Sequence, residues 1–98
     1  MRGNLGSINE QIDRWDILIK QKANKYGMEP AIIKAIMYHE SKGKPNDVSW
    51  AGAAGLMQLM PATAAEVAGK LGWSSYDVYN PDQNVEMGTF YFSDLIST

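Results

Sequence analysis

The chain has 98 residues, 45% of them hydrophobic, which suits one small domain with its own core and is too short for two. Nine basic and eleven acidic residues give a net charge of −2, and because the basic residues form no uniform block, no nucleic-acid partner is expected. The chain has no cysteine and a single histidine, His39, so neither a disulfide framework nor a metal site nor another cofactor is expected. No stretch approaches the roughly 20 apolar residues of a transmembrane helix, and the first residues lack the apolar run of a signal peptide.

The first half of the chain is predicted to form two helices. Residues 8–26 keep apolar side chains at helical spacing, and Ser7 followed by Glu10 is typical of a capping box at the start of that helix. Pro30 suits the first turn of a second helix, which should end at about Ser41.

The second half is predicted to contain a loop and two more helices. Residues 42–54 are rich in turn formers, and Pro61 can open a third helix that ends at Leu71. The pair Asn80 and Pro81 is typical of a cap and first turn, so a fourth helix should follow and reach about residue 97. Four of its residues share one helical face and are predicted to be buried: Val85, Gly88, Phe92 and Leu95.

Glu40 is the strongest candidate for chemistry. Ile33, Met37 and Glu40 fall at positions i, i+4 and i+7, so the carboxylate lies on the same helical stripe as two aliphatic side chains. We expect Glu40 to be drawn against an apolar wall, where loss of water contact would favour the protonated form that a general acid needs.

Other polar and aromatic residues have competing interpretations. Gln58 lies among apolar neighbours, and because a buried amide needs hydrogen-bond partners, a functional role is favoured. Trp50, Trp73 and Tyr76 are expected to pack in or beside the core, with sugar stacking as the alternative.

Three sequence words resemble the soluble-type lytic transglycosylase (SLT) domain of the lysozyme-like superfamily, over roughly residues 25–97. The words are His39-Glu40-Ser41, then Gly52-Ala53-Ala54-Gly55-Leu56-Met57-Gln58-Leu59-Met60-Pro61-Ala62-Thr63-Ala64, then Asn84-Val85-x-x-Gly88-x-x-Tyr91. The resemblance implies a mainly α-helical, lysozyme-like domain of about four helices, with the active-site loop between helices two and three. We expect residues 1–98 to form a single domain.

The resemblance also implies an enzyme, a lytic transglycosylase. It would cleave the β-1,4 bond between N-acetylmuramic acid and N-acetylglucosamine in peptidoglycan and form 1,6-anhydromuramic ends. Glu40 matches the single catalytic acid/base of the family, and the positions matching substrate-binding residues are Ser49, Gln58, Met60, Asn84 and Tyr91. The implied partner is the peptidoglycan glycan strand, and the implied location is the cell envelope or periplasm, the extracellular space, or a phage particle.

Two alternatives remain open. One is a lysozyme-type muramidase, a hydrolase in which Asp47 would be the second carboxylate. The other is a catalytically impaired helical module that binds glycan or a protein partner.

The end of the chain departs from the family pattern. Family members usually carry an Ala-Tyr-Asn-Ala-Gly-Pro word after the third motif, whereas this sequence ends at Thr98, soon after Tyr91. We therefore expect a truncated domain with weak or no activity by itself. Apolar residues near the end of the fourth helix would remain uncovered, and self-association through that face is expected.

Overall fold

The computed structural model describes residues 9–97, and these are mainly helical, as predicted. Four helices follow a short helical segment at residues 9–13: α1 (Asp16–Lys25), α2 (Pro30–Ser41), α3 (Pro61–Leu71) and α4 (Pro81–Ser97). Between α2 and α3 lies the predicted loop, which is held by two isolated antiparallel bridges, Val48–Ala54 and Ala54–Leu59.

The first predicted helix is interrupted. A turn at Arg14 and Trp15 separates residues 9–13 from α1, and the backbone N–H of Trp15 donates to Ile12 O, only three residues back, at 3.1 Å. The indole Nε1 of Trp15 donates to Gly43 O at 2.8 Å, so a tertiary contact holds the side chain at the break. The predicted start at Ile8 and the capping serine, Ser7, lie outside the described residues.

The remaining helix boundaries confirm the sequence signals. Both α2 and α3 open with proline and end at a left-handed residue, Lys42 (φ 57°) and Gly72 (φ 78°) respectively. Asn80 caps α4, since its Oδ1 accepts a hydrogen bond from the Gln83 backbone N–H at 3.0 Å.

Helix α4 lies between two hydrophobic clusters. It packs on α1 and on α3, while α1 also packs on α2. Val85 belongs to the first cluster, with side chains of α1, α2 and the loop, and Met87 belongs to the second, with side chains of α3. The prediction that Leu95 is buried is wrong: it lies 54% exposed in the last turns of α4, past the residues that join either cluster.

A buried ion cluster joins α1 to α4. Glu86 accepts hydrogen bonds from Lys22 (2.8 Å), Lys25 (2.6 Å) and the Tyr26 hydroxyl (2.6 Å). Burial alone would raise the pKa of Glu86, but these three donors outweigh it and hold that pKa at about 2. Burial and the bond to Glu86 both raise the pKa of Tyr26. Lys22 and Glu86 are both buried, so this ion pair fixes how α4 sits on α1.

Candidate active site

A cavity of about 200 Å³ opens where α2, the loop and α4 meet. Helix α2 contributes its last turn, the loop contributes the residues just before α3, α3 contributes its first turn, and α4 contributes two adjacent aromatic residues. The lining residues are Glu40, Met57, Gln58, Leu59, Met60, Thr63, Tyr91 and Phe92. Four of the six predicted site residues are therefore brought together here.

Glu40 lies at the edge of this cavity. Its stripe neighbours Ile33 and Met37 are fully buried, as predicted, and the apolar wall is formed largely by Met57, Met60 and Phe92. Glu40 itself is exposed, so the protein alone buries it less than predicted. Among residues 9–97 no hydrogen bond or ion pair engages its carboxylate, which leaves both oxygens available to a ligand.

Gln58 holds the loop as well as lining the cavity. Its side-chain Nε2 donates to Asp47 O at 3.0 Å and to Gly55 O at 2.9 Å, and its backbone adopts a left-handed conformation with φ 51°. These bonds give the half-buried amide the partners that its apolar surroundings require. They also orient the side chain towards the loop interior.

Asn84 has a different role from the one predicted. It is fully buried and does not line the cavity at Glu40. Its Oδ1 accepts from the Met57 N–H at 2.7 Å, and its Nδ2 donates to Ala54 O at 3.1 Å and to Val78 O at 2.8 Å. With its amide used on both sides, Asn84 fixes the backbone of the cavity-lining loop.

Gly88 allows the loop to lie directly on α4, as its predicted helical-face position suggests. A Cβ atom at this position would come within 2.7 Å of both Cβ and Cγ of Met57. One helical turn further, Tyr91 is half-buried and packs edge-on against Phe92, with ring centroids 5.6 Å apart. Met60, on the opposite wall, is 43% exposed.

Ser49 is not brought to the cavity wall. Its Oγ accepts the Ala53 N–H at 3.0 Å, and its own N–H donates to Ala53 O at 2.8 Å, so it closes the turn at the tip of the loop. Asp47 likewise lines a different cavity, bordered by residues 11–14 and 43–46.

Sequence reasoning missed four lining residues and misjudged one aromatic. Met57, Leu59 and Thr63 belong to the second sequence word, and Phe92 lies next to Tyr91 in sequence. Core packing was wrong for Trp50, whose side chain is 100% exposed, whereas Trp73 packs against the second cluster. Tyr76 is 37% exposed.

Within residues 9–97, no group of three His, Asp or Glu side chains is placed to hold a metal ion. No helix in this range is both long and apolar enough to cross a bilayer.

Comparison with known sequences decides the family. A sequence model of the family described as "Transglycosylase SLT domain" matches residues 17–98, a range that contains α2, the loop, α3 and α4. The chain belongs to the SLT domain family. The range proposed from the sequence words, about 25–97, lies inside this match.

Relatives and solved structures agree with the SLT assignment. Membrane-bound lytic murein transglycosylase E of Buchnera aphidicola is 41% identical over 94% of this chain and 44% of that protein. A crystal structure titled as an inactive glutamate-to-glutamine mutant of lytic transglycosylase Slt from Pseudomonas aeruginosa is 33% identical, with a TM-score of 0.77 over 83% of this chain and 14% of that one. The 70-kDa soluble lytic transglycosylase in complex with bulgecin A is 26% identical, with a TM-score of 0.81 over 92% of this chain and 15% of that one.

These figures confirm the lysozyme-like transglycosylase fold predicted from the sequence. This SLT domain spans less than half the length of the curated relative and about one seventh of either solved chain.

Proposed function

We propose that this chain is a peptidoglycan lytic transglycosylase. It cleaves the β-1,4 bond between N-acetylmuramic acid and N-acetylglucosamine and leaves a 1,6-anhydromuramic end. The proposal rests on SLT family membership and on the cavity at Glu40. Because its substrate is peptidoglycan, we place the reaction in the cell envelope, outside the cell, or on a phage particle.

One observation favours a transglycosylase over a muramidase: Glu40 is the sole acidic residue among those that line its cavity. A two-carboxylate hydrolase needs a second carboxyl group about 5–9.5 Å from the acid, across the sugar. Asp47, the candidate for that role, borders another cavity instead. A mechanism with one carboxylate therefore fits the described residues better.

Glu40 performs both proton transfers in this mechanism. Its protonated carboxyl group donates a proton to the glycosidic oxygen, and the C–O bond to the muramic C1 breaks as the acetamido oxygen of the same sugar stabilises the cationic centre. The carboxylate then removes a proton from the muramic 6-hydroxyl, whose oxygen closes the 1,6-anhydro ring at C1. A glycan strand lying over Met57, Met60 and Phe92 would exclude bulk water from Glu40 during both proton transfers.

The remaining site residues support the glycan on either side of Glu40. Gln58, Met60 and Tyr91 share the cavity and are proposed to contact sugar, while Ser49 shapes the loop tip beside it. Asn84 acts by positioning the loop, without touching the substrate.

Glu40→Gln in the intact protein that carries this domain tests the assignment. Turnover of purified cell walls should fall about 10²- to 10⁴-fold, the usual contribution of a general acid or base, with no change in the melting temperature. The inactive mutant of the Pseudomonas aeruginosa enzyme also replaces a glutamate by glutamine, so we choose the same change. Glu29→Gln is the matched control, because Glu29 is also exposed and lies outside the cavity.

Product analysis separates the alternatives. Mass spectrometry should find anhydromuramic ends, and Asp47→Ala should still make them. Reducing-end products that disappear on Asp47→Ala would instead support a muramidase. Glycan binding without turnover by the unaltered chain would support a non-catalytic module.

We also propose that the chain acts as one domain and self-associates through the exposed end of α4. Ile96 is 69% exposed, and exposed aliphatic surface favours association. Sedimentation of the chain and of Ile96→Lys tests this, since the variant should be monomeric at concentrations where the parent is dimeric. Monomers in both samples would contradict it.

A further inference from the structure

A second cavity, of about 360 Å³, lies between the first helical segment and the loop that follows α2. Besides Pro45, its lining residues are Gln11, Arg14, Gly43, Lys44, Asn46 and Asp47. We call it the cationic pocket. None of its residues lines the cavity at Glu40.

The cationic pocket carries an excess of positive charge. Within residues 9–97, neither Arg14 nor Lys44 has an acidic partner; the guanidinium Nε donates only to the Glu10 carbonyl, at 3.4 Å. Several other lysines of the chain, by contrast, sit within 4 Å of a carboxylate. Asp47 is the acidic residue of the pocket wall, so two cations face one anion. Two unpaired cations with amide groups beside them form a site for a carboxylate.

The pocket is rigidly built. Gly43 lies so close to the first helical segment that a Cβ atom there would be 2.9 Å from the Ile12 Cα and would overlap the Gln11 carbonyl. Trp15 Nε1 donates to Gly43 O at 2.8 Å and fixes the same contact from the other side. The two cations therefore project from segments whose separation is set by packing.

The pocket adjoins the proposed catalytic cavity through one hydrogen-bonded contact. Asp47 lines the cationic pocket, and its carbonyl oxygen accepts from Gln58 Nε2 at 3.0 Å, while Gln58 lines the cavity at Glu40. A peptide extends about 3.3–3.6 Å per residue, so a chain of a few residues can reach from one cavity to the other.

We propose that the cationic pocket binds a carboxylate of the peptide stem that peptidoglycan carries on its muramic residues. The proposal rests on the proposed function, because a glycan bound at Glu40 brings its stems to the neighbouring surface. Arg14 and Lys44 would pair with the carboxylate, and the side-chain amides of Gln11 and Asn46 would donate to the stem backbone. The pocket would then make the enzyme prefer stem-bearing strands over bare glycan.

Direct binding tests the proposal independently of catalysis. A synthetic stem tetrapeptide is titrated into the 98-residue chain, and the indole N–H signal of Trp15 serves as the NMR reporter because it contacts Gly43. We expect saturable shifts with the unaltered chain and about three- to tenfold weaker binding by Arg14→Gln/Lys44→Gln. Lys20→Gln is the control for loss of a surface charge outside the pocket, since Lys20 is exposed and does not line it, and this variant should bind as the unaltered chain does.

Two comparisons define the outcomes. The same tetrapeptide with its carboxyl groups amidated should fail to bind, and equal binding by the amidated peptide or by the double variant would overturn the proposal. Tighter binding of glycerol phosphate oligomers at the same reporter would also overturn it, because the pocket would then be a phosphate site. On cell walls, the ratio of kcat/KM for stem-bearing over amidase-stripped glycan should fall in the double variant and not in Lys20→Gln. If the intact protein that carries this domain turns over neither substrate, the proposed function fails, and the peptide titration still decides the pocket.

Discussion

Replacing Asn84 by alanine should destabilise the domain and disable the site together. Asn84 is fully buried and makes three side-chain hydrogen bonds. In one of them its Oδ1 is the acceptor for the Met57 backbone N–H. Met57 is itself buried, so the substitution leaves a backbone donor without a partner and away from water. The consequences reach two segments, because the same amide also donates to Ala54 O in the loop and to Val78 O in the connection between α3 and α4.

The size of the effect follows from these contacts. An unsatisfied buried donor costs about 1–3 kcal/mol, and each of the two other lost bonds costs about 0.5–1.5 kcal/mol. The Ala54 carbonyl keeps a second donor, the Leu59 N–H at 3.0 Å, which limits the loss there. We expect a total of about 4 kcal/mol, a large share of the roughly 5–15 kcal/mol that stabilises a domain of this size.

Asn80→Ala is the matched control, on the same helix and with the same change in side chain. Asn80 is exposed and makes one capping bond, to the Gln83 N–H, so its loss should cost about 1 kcal/mol. Urea denaturation gives both values, and cell-wall turnover below the unfolding transition gives the activity. Asn84→Ala should lose most turnover while Asn80→Ala keeps it. If both variants lose about 1 kcal/mol and both stay active, Asn84 does not fix the loop and our account of its role is wrong.

Three further outcomes are expected. Gly88→Ala should lower the free energy of unfolding by about 2 kcal/mol, because the new Cβ would crowd Met57. Gly69→Ala is the control on α3, where there is open space, and should raise the free energy of unfolding by up to about 1 kcal/mol. Equal effects of the two variants in thermal melts would argue against the close approach of the loop to α4. The pKa of Glu86 is lowered from 4.5 to about 2, so its ion cluster contributes about 3 kcal/mol above pH 5 that is lost as the pH falls towards 2. Melting temperatures of Glu86→Gln should therefore show a weaker acid dependence than those of the parent, and parallel curves would refute this. Trp50→Ala should change the free energy of unfolding by less than about 0.5 kcal/mol, because the side chain is fully exposed. If the indole stacks on sugar, the variant should also co-sediment less with cell walls. A loss of stability above about 1 kcal/mol would show that Trp50 packs in the core.

The helices were predictable because their signals are local. Pro30, Pro61 and Pro81 each stand at the first turn of a helix, where a missing N–H costs nothing, and Gly72 supplies the left-handed end of α3. The break before α1 was not predictable in this way. It depends on the bond from the Trp15 indole to Gly43, 28 residues away, and apolar spacing along a helix carries no information about such a partner.

The site was predictable to the extent that its residues belong to the three sequence words. Glu40, Gln58 and Tyr91 were found from those words and do line one cavity. Asn84 shares the helical face of Tyr91, which made it resemble a second contact residue. Spacing gives the face of a helix but not the depth of the loop lying on it, so burial of Asn84 under the loop could be seen only in three dimensions.

Helix α4 connects the stability of the domain to the geometry of its site. On the α1 side Glu86 is tied to Lys22 and Lys25, and on the loop side Asn84 and Gly88 receive Met57. The two contacts with α1 and the two with the loop all fall within five residues of α4. A shift of α4 relative to α1 must therefore also move the loop that carries Gln58. Glu40 is held separately, by α2. The distance between Glu40 and the loop that carries Gln58 is therefore set by how α1 packs against α2 and α4.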